Sequence, residues 1–355
     1  MMILNGLFEV YWPQKLFNVE DQMLRPVHSH TSAREVKKFY YIAYFMFPTI
    51  RLIVIVHQMM NIKGTVNHLN VISGLANDLQ TYCTGQCSNF SSKIRRNSLR
   101  IVAMFVGIPL VTVFPAIVYS FSNGLVLGPM VMREVIIVLV PLQLLGIYFD
   151  DGDFIIQCDI VSEFYRQIEM HLVDKEEYLR ANHGSVRLVE VRKWHQFLRR
   201  NRKMVGQIGS ITKVPQLLYL LEVSLNLTVF FYRVLNLVTS PNTSFLESRF
   251  LKMSVGYVVA CLIRLHVKTL KAEQVTAAEG RVHDALFALN ELPQALEVQL
   301  ELQGMSNTIS FTPSRITFGN YVVLHKGVIL TISTQVITYL IILLQFDSAT
   351  KECLH

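Results

Sequence analysis

Charge is scarce in this 355-residue chain: Asp, Glu, Lys and Arg together make up 17% of it, against about 25% in an ordinary soluble domain. Hydrophobic residues make up 51%, the mean hydropathy is +0.35, and the apolar residues come in runs rather than alternating with charge. A soluble globular protein is thereby excluded, and so is a transmembrane barrel, which needs short segments of strict alternation. Cysteine is also sparse. The five thiols, Cys83, Cys87, Cys158, Cys261 and Cys353, are odd in number and scattered, which argues against a disulfide framework. Cys83 and Cys87 lack Cys or His partners at zinc-finger spacing, so they read as free thiols, and no metal or cofactor is expected. No leader of basic, apolar and small residues opens the chain, so the first true span must direct insertion. Interrupted helices and repeated halves, the marks of a transporter, are missing too. The net charge of +7 could suggest a nucleic-acid partner. The basic residues instead sit between the apolar runs, as cytoplasmic flanks do, and no nucleic acid is expected.

What is present is a series of spans. Residues 1–38 form a mixed N-terminal segment broken by Trp12-Pro13 and Arg25-Pro26. Residues 39–150 hold transmembrane spans around a cytoplasmic loop at 61–100. The runs are Phe39 to Met60, interrupted by Arg51, then Ile101 to Ser122, then 131–149, and the loop ends on Lys93, Arg95, Arg96 and Arg100. Arg51 must snorkel or face the bundle. Asp150, Asp151 and Asp153 read as a helix end at the cytoplasmic surface.

The segment 151–213 is polar but patterned. Phe154, Cys158, Val161, Tyr165, Ile168 and Leu172 share one helical face; Leu188, Val191, His195, Leu198, Val205 and Ile208 share another. Two cytoplasmic amphipathic helices follow from that spacing. The basic residues of the second (Arg192, Lys193, Arg199, Arg200, Arg202 and Lys203) read as a solvated, headgroup-facing surface. Residues 214–268 contain two more spans around an extracellular loop at 239–249. That loop carries Asn242-Thr243-Ser244, a glycosylation acceptor, whereas the sequons at Asn89 and Asn226 read as chance. Residues 269–323 continue as a cytoplasmic helical extension and anchor. A helix from 250 to 290 would be about 60 Å long, well beyond the bilayer.

The last run, 324–346, is long enough to span, and residues 347–355 form the tail. The polar residues of this run are not scattered: Thr331, Thr334, Gln335, Thr338 and Gln345 recur at helical spacing and gather on one narrow face. Lipid gives no partner to hydroxyls and amides, so this seam must face protein or water. On the helix alone, interhelical hydrogen bonding fits as well as a pore.

Charge asymmetry between loops sets the direction. Counting back from a cytoplasmic 268–323, the C-terminus is extracellular, 239–249 is outside, 151–213 inside, 123–130 outside and 61–100 inside. Six clear spans result, and the basic N-terminal segment falls on the wrong side. That conflict points to a first span that is missing before Phe39, or to a degenerate one over residues 3–18.

The closing Thr338-Tyr339-Leu340-Ile341-Ile342-Leu343-Leu344-Gln345-Phe346 resembles the signature of the insect gustatory receptors: a Thr-Tyr pair, five mostly apolar residues, then Gln-Phe at the end of the last span. Val191-Arg192-Lys193-Trp194-His195-Gln196-Phe197-Leu198 and Ser310-Phe311-Thr312 look like further family segments, and the resemblance covers about 39–346. It implies an all-α, polytopic helical membrane protein of the inverted seven-transmembrane insect chemoreceptor type. It also implies a homo- or hetero-tetramer with other gustatory receptors, placed in the plasma membrane as a ligand-gated, non-selective cation channel. By that resemblance Thr331, Thr334, Gln335, Thr338, Ile342, Gln345 and Phe346 line the pore, and Thr338, Tyr339, Gln345 and Phe346 carry the family motif. Sugar receptors of the family carry Glu after the Thr-Tyr pair. This chain has Leu340, which favours a bitter or unassigned tastant.

Candidate ligand-binding residues are polar or aromatic groups in the outer halves of the spans: Tyr41, Tyr44, Tyr119, Asn226, Tyr232 and Tyr257. Each also fits core packing or an aromatic belt. Glu222 lies within a span, where it needs a role or a partner. The rival readings are an insect odorant receptor channel, a G-protein-coupled receptor of opposite orientation, and an intramembrane enzyme. The last lacks a second Gly-flanked aspartate within a span and any intramembrane zinc-spaced His and Glu.

Overall fold

The computed structural model describes residues 50–82, 90–107, 130–239 and 245–352. Half of the expected first span, much of 101–122 and the loop holding Asn242 lie outside these residues. The described chain is almost entirely helical. In order it forms α1 (Ile50–Met60), α2 (Ile62–Tyr82), α3 (Phe90–Val102, continued by a π-helical turn Ala103–Gly107), α4 (Met130–Asn182), α5 (Leu188–Ile211), α6 (Lys213–Thr239), α7 (Phe245–Asn290), α8 (Leu296–Phe311) and α9 (Gly327–Glu352). Among the described residues, Lys213–Tyr232 is the one stretch long and apolar enough to cross a membrane by length and composition, and Ile50–Met60 and Gly327–Ile342 are shorter apolar helices.

The breaks between helices have local causes. His183 takes a left-handed φ of 49° and ends α4, and the free N–H of Val186 donates to Gln294 Oε1 at 2.8 Å. The N–H and hydroxyl of Thr212 both donate to Ile208 O, closing α5. Pro215 follows within the first turn of α6, where its missing N–H costs no helical bond. Pro293 and Pro313 stand just beyond α7 and α8, since a residue before proline is pushed out of the helical region. After α8 comes a two-stranded antiparallel hairpin, β1 (Thr317–Phe318) and β2 (Val322–Val323), paired Thr317 to Val323 and Phe318 to Val322. Its turn needs positive φ at two positions, and Gly319 (61°) and Asn320 (62°) supply it.

Two hydrophobic cores result. The larger joins α2, α4, α5, α7, α8 and the hairpin. It contains all six residues of the first expected face, from Phe154 to Leu172, each buried. Of the second face, Val191, Leu198, Val205 and Ile208 are buried and Leu188 packs at the edge. His195 is half-buried and bonded to Glu301 of α8 at 2.6 Å. Trp194, absent from the expected face, is buried in their midst. The smaller core joins α6, α7 and α9 through Tyr219, Val223, Leu227, Val258, Leu265, Val328, Ile332 and Val336. Both cores share α7. The changeover falls between Leu265 and Ala272, within two turns.

The helix-end reading of Asp150, Asp151 and Asp153 is corrected. α4 runs unbroken from Met130 to Asn182, so the triplet lies mid-helix; Asp150 and Asp151 are answered by partners from other helices, and Asp153 accepts from Gln157 one turn on. The solvated reading of the basic residues on α5 is corrected in part. Arg200 pairs with Asp78 of α2, and Arg202 bonds Thr312 and Glu279, while Arg192, Lys193, Arg199 and Lys203 are exposed.

Candidate functional site

α9 buries one narrow face and leaves the rest exposed, apolar Leu330, Ile337 and Ile341 included. Val328, Ile332 and Val336 are buried against α6 and α7, as spacing by four residues dictates. Thr331, Thr334, Gln335, Thr338 and Gln345 are all exposed, as are Ile342 and Tyr339. The polar seam therefore points away from the helix's own bundle. The hydroxyls of Thr331, Thr334 and Thr338 donate to the carbonyls of Gly327, Leu330 and Thr334, at 3.1, 3.0 and 3.0 Å. Their lone pairs stay free for water or an ion. The side chain of Phe346 lies outside the described residues.

The root of α9 is held by carboxylates of α7. Glu273 accepts from the backbone N–H of Lys326 at 2.9 Å and pairs with its ammonium at 2.8 Å. These contacts to Lys326 keep the Glu273 carboxyl below its usual pKa. Two turns on, Glu279 is fully buried. It accepts from the Ser314 hydroxyl at 2.7 Å, from the Ser314 N–H, and from the Tyr165 hydroxyl at 3.2 Å, and Arg202 approaches at 3.3 Å. Burial, then the Glu279 charge, push the Tyr165 phenol far above its ordinary pKa, so it stays a donor. Thr276 donates to Ser314 O at 2.8 Å. The linker between α8 and the hairpin is thus fastened to α4 and α7 at Ser314 and to α5 at Thr312. The hairpin itself closes on α5: the backbone of Thr317 lies where a Cβ on Gly209 would be.

At the changeover between the two cores lies a buried ionic cluster. Asp151 of α4 accepts from Arg264 Nε at 2.6 Å and from Lys268 Nζ at 2.9 Å, both on α7. Lys268 also donates to Gln216 Oε1 of α6 at 2.9 Å and lies 3.3 Å from the ring centroid of Tyr219. Arg264 sits over the rings of Tyr148 and Tyr219 at 4.9 and 4.8 Å, and the Tyr219 hydroxyl donates to Cys261 O at 2.9 Å. Glu222, buried on α6, acts on the Lys268 charge from nearby. The neighbouring Asp150 accepts from Arg51 at 2.5 Å and from Gln58 at 2.6 Å. The Arg51 guanidinium occupies the space over Gly146, which no larger residue would leave open. Arg51 therefore faces the bundle. Charges buried this far from water need such partners, and three helices supply them.

The ligand candidates are not assembled by the described residues. Tyr41, Tyr44 and Tyr119 lie outside them, and Tyr257 is helical with its side chain undescribed. Asn226 is half-buried and donates to Glu222 O at 3.0 Å, and Tyr232 is buried. Cys158 and Cys261 are buried and in no disulfide, and no cluster of metal-ligating side chains occurs among the described residues. The sequence reading missed the partnership of Asp151 with Arg264 and Lys268. Its signal was there, because Arg264 and Lys268 are four residues apart and share one helical face. Glu279 carried no comparable signal.

No protein-family model and no curated protein matches the sequence. Solved structures do match its architecture. The insect olfactory receptor OR5 from Machilis hrabei superposes with a TM-score of 0.59 at 13% identity, over 97% of this chain and 88% of that one. The fold is that of an insect olfactory receptor. The same receptor in complex with eugenol gives a TM-score of 0.57 at 15% identity, over 90% and 83% of the two chains. The all-α class and the insect-chemoreceptor-type helical fold expected from the sequence are therefore found. α9 is the last helix of the described chain, and its polar residues lie off the side that packs on α6 and α7.

Proposed function

We propose that this chain is a subunit of an insect chemoreceptor of the gustatory branch, a plasma-membrane, ligand-gated, non-selective cation channel. The observation that carries this reading is the exposed seam of α9. A helix that buries Val328, Ile332 and Val336 and turns hydroxyls and amides outward suits a position around a water-filled axis shared by several copies. Thr331, Thr334, Thr338 and Gln345 then line the path, with Gln345 and Phe346 at its outer constriction. The seam has no carboxylate ring, so selection among cations is loose. The ligand is a small-molecule tastant held among the outer halves of the other spans, and no chemistry is done on it. Binding opens the channel to the extent that the open arrangement binds the tastant more tightly.

The test is recording from cells that express the full chain under a tastant panel. Gln345→Ala is expected to change conductance or gating while surface expression persists. Thr334→Cys and Thr338→Cys are expected to render the current sensitive to a water-soluble thiol reagent. Unchanged currents in all three variants would remove α9 from the pore.

A second reading is favoured by the structural comparison itself. The two solved chains reported above are olfactory receptors, one of them in complex with eugenol. Responses to volatile odorants, eugenol included, in place of non-volatile bitter compounds would assign the chain to the olfactory branch. The gustatory reading rests on the Thr-Tyr and Gln-Phe pairs that close α9.

A further inference from the structure

α3 has two faces of opposite character. Ile94 and Ile101 pack against the larger core, and Asn97 and Ser98 line a cavity of about 400 Å³ against α4 and α7. The other face presents Ser92, Arg95, Arg96, Leu99, Arg100 and Ala103 around an open concavity of about 390 Å³. Arg95, Arg96 and Arg100 are exposed, and Leu99 is 60% exposed between them. The helix FSSKIRRNSLRIV contains no Asp or Glu at all. In this it differs from its neighbours. Lys271 meets Asp159, Arg281 meets Glu169 and Arg200 meets Asp78. Arg95, Arg96 and Arg100 of α3 make no such pair among the described residues. Immediately past them the surface turns apolar, with Val102 and Met104 43% and 60% exposed.

Three unanswered guanidinium groups beside bare apolar side chains match one environment, the junction of phosphate headgroups and acyl chains. Guanidinium binds phosphate oxygens as a planar fork, and Leu99, Val102 and Met104 reach the adjoining hydrocarbon. We infer that the outward face of α3 is a docking site for anionic phospholipid of the leaflet on the side of the larger core. This rests on the membrane reading above, under which residues 61–100 lie on the cytoplasmic side. An acidic peptide would satisfy the charges but leave the apolar rim in water.

The experiment uses the purified full chain in nanodiscs of phosphatidylcholine, or of phosphatidylcholine doped with phosphatidylserine. Retained lipid is counted by native mass spectrometry. The wild-type chain is expected to retain phosphatidylserine preferentially. Arg95→Gln, Arg96→Gln and Arg100→Gln together should reduce that preference by about fivefold per arginine removed, while the Lys triple keeps most of it. Arg95, Arg96 and Arg100 make no ion pair among the described residues, so the melting temperature of both triples should stay at the wild-type value. A Gln triple with wild-type preference would overturn the inference. So would stripping of the lipid by inorganic phosphate at equal concentration, or binding of a poly-glutamate peptide in its place. A wild-type chain that conducts but shows no lipid preference sinks this inference alone. Preference without conduction under any ligand sinks the channel reading alone.

Discussion

Asp151 on α4 and Lys268 on α7 meet at 2.9 Å with side chains 3% and 1% exposed, where the larger core gives way to the smaller. Removing Asp151 would leave Lys268 and Arg264 as buried cations sharing one less carboxylate. Asp151→Ala is therefore expected to cost about 3–5 kcal/mol, read as a lower melting temperature in detergent and reduced surface expression. Lys268→Met together with Arg264→Met and Asp151→Leu removes every charge of the trio and should restore much of the loss. A single alanine variant that melts like wild type would show the cluster to be dispensable.

Glu279 fastens the Ser314 linker that leads to α9. In Glu279→Gln the shape remains, but the carboxylate facing Arg202, Tyr165 and Ser314 is gone, and an amide donor points at donors. A loss of about 1–3 kcal/mol is expected, with altered ligand sensitivity in whatever channel survives. The measurement is a dose–response curve beside a melting curve, and a change in stability with no change in gating would confine Glu279 to packing.

His171 of α4 lies edge-on to Tyr82 and Trp194, with ring centroids 5.2 and 5.9 Å apart. Burial, then the nearby Lys175 ammonium, hold its pKa below the ordinary histidine value. The unfolded chain binds the proton more readily, so this histidine's contribution is fully present above about pH 6.5. It is lost as pH falls through the depressed folded value. Melting curves below that pH should drop more steeply for wild type than for His171→Phe; parallel curves would contradict the assignment.

Gly209→Ala places a methyl group against the carbonyl of Thr317. Backbone cannot step aside as a flexible side chain can, so the hairpin must shift. A destabilisation of about 1–3 kcal/mol is expected, whereas Gly206→Ala on the same helix, with open space around it, should be neutral or slightly stabilising. Equal melting temperatures for the two variants would refute the close approach.

The helices and their buried faces were readable because one amphipathic period repeats without interruption: every residue from Phe154 to Leu172 assigned inward is inward. What could not be read was pairing across distance. Asp151 and Lys268 are separated by 117 positions and Tyr165 and Glu279 by 114. A carboxylate beside a presumed membrane surface looks like a helix end until another helix is placed against it. The hairpin escaped notice because four strand residues carry too little alternation to stand out, although Gly319-Asn320 was there to mark its turn.

The 46 residues of α7 form one unbroken rod through both cores. A rod does not absorb motion; it relays it. If the ionic cluster acts as its fulcrum, a tilt of about 5° there carries Asn290 sideways by about 3 Å, given about 1.5 Å of rise per residue. Glu273 lies on that lever arm and grips Lys326 at the base of α9, and Glu279 beyond it grips Ser314 ahead of the hairpin, so rocking of α7 would arrive at the last helix as a pull on its root.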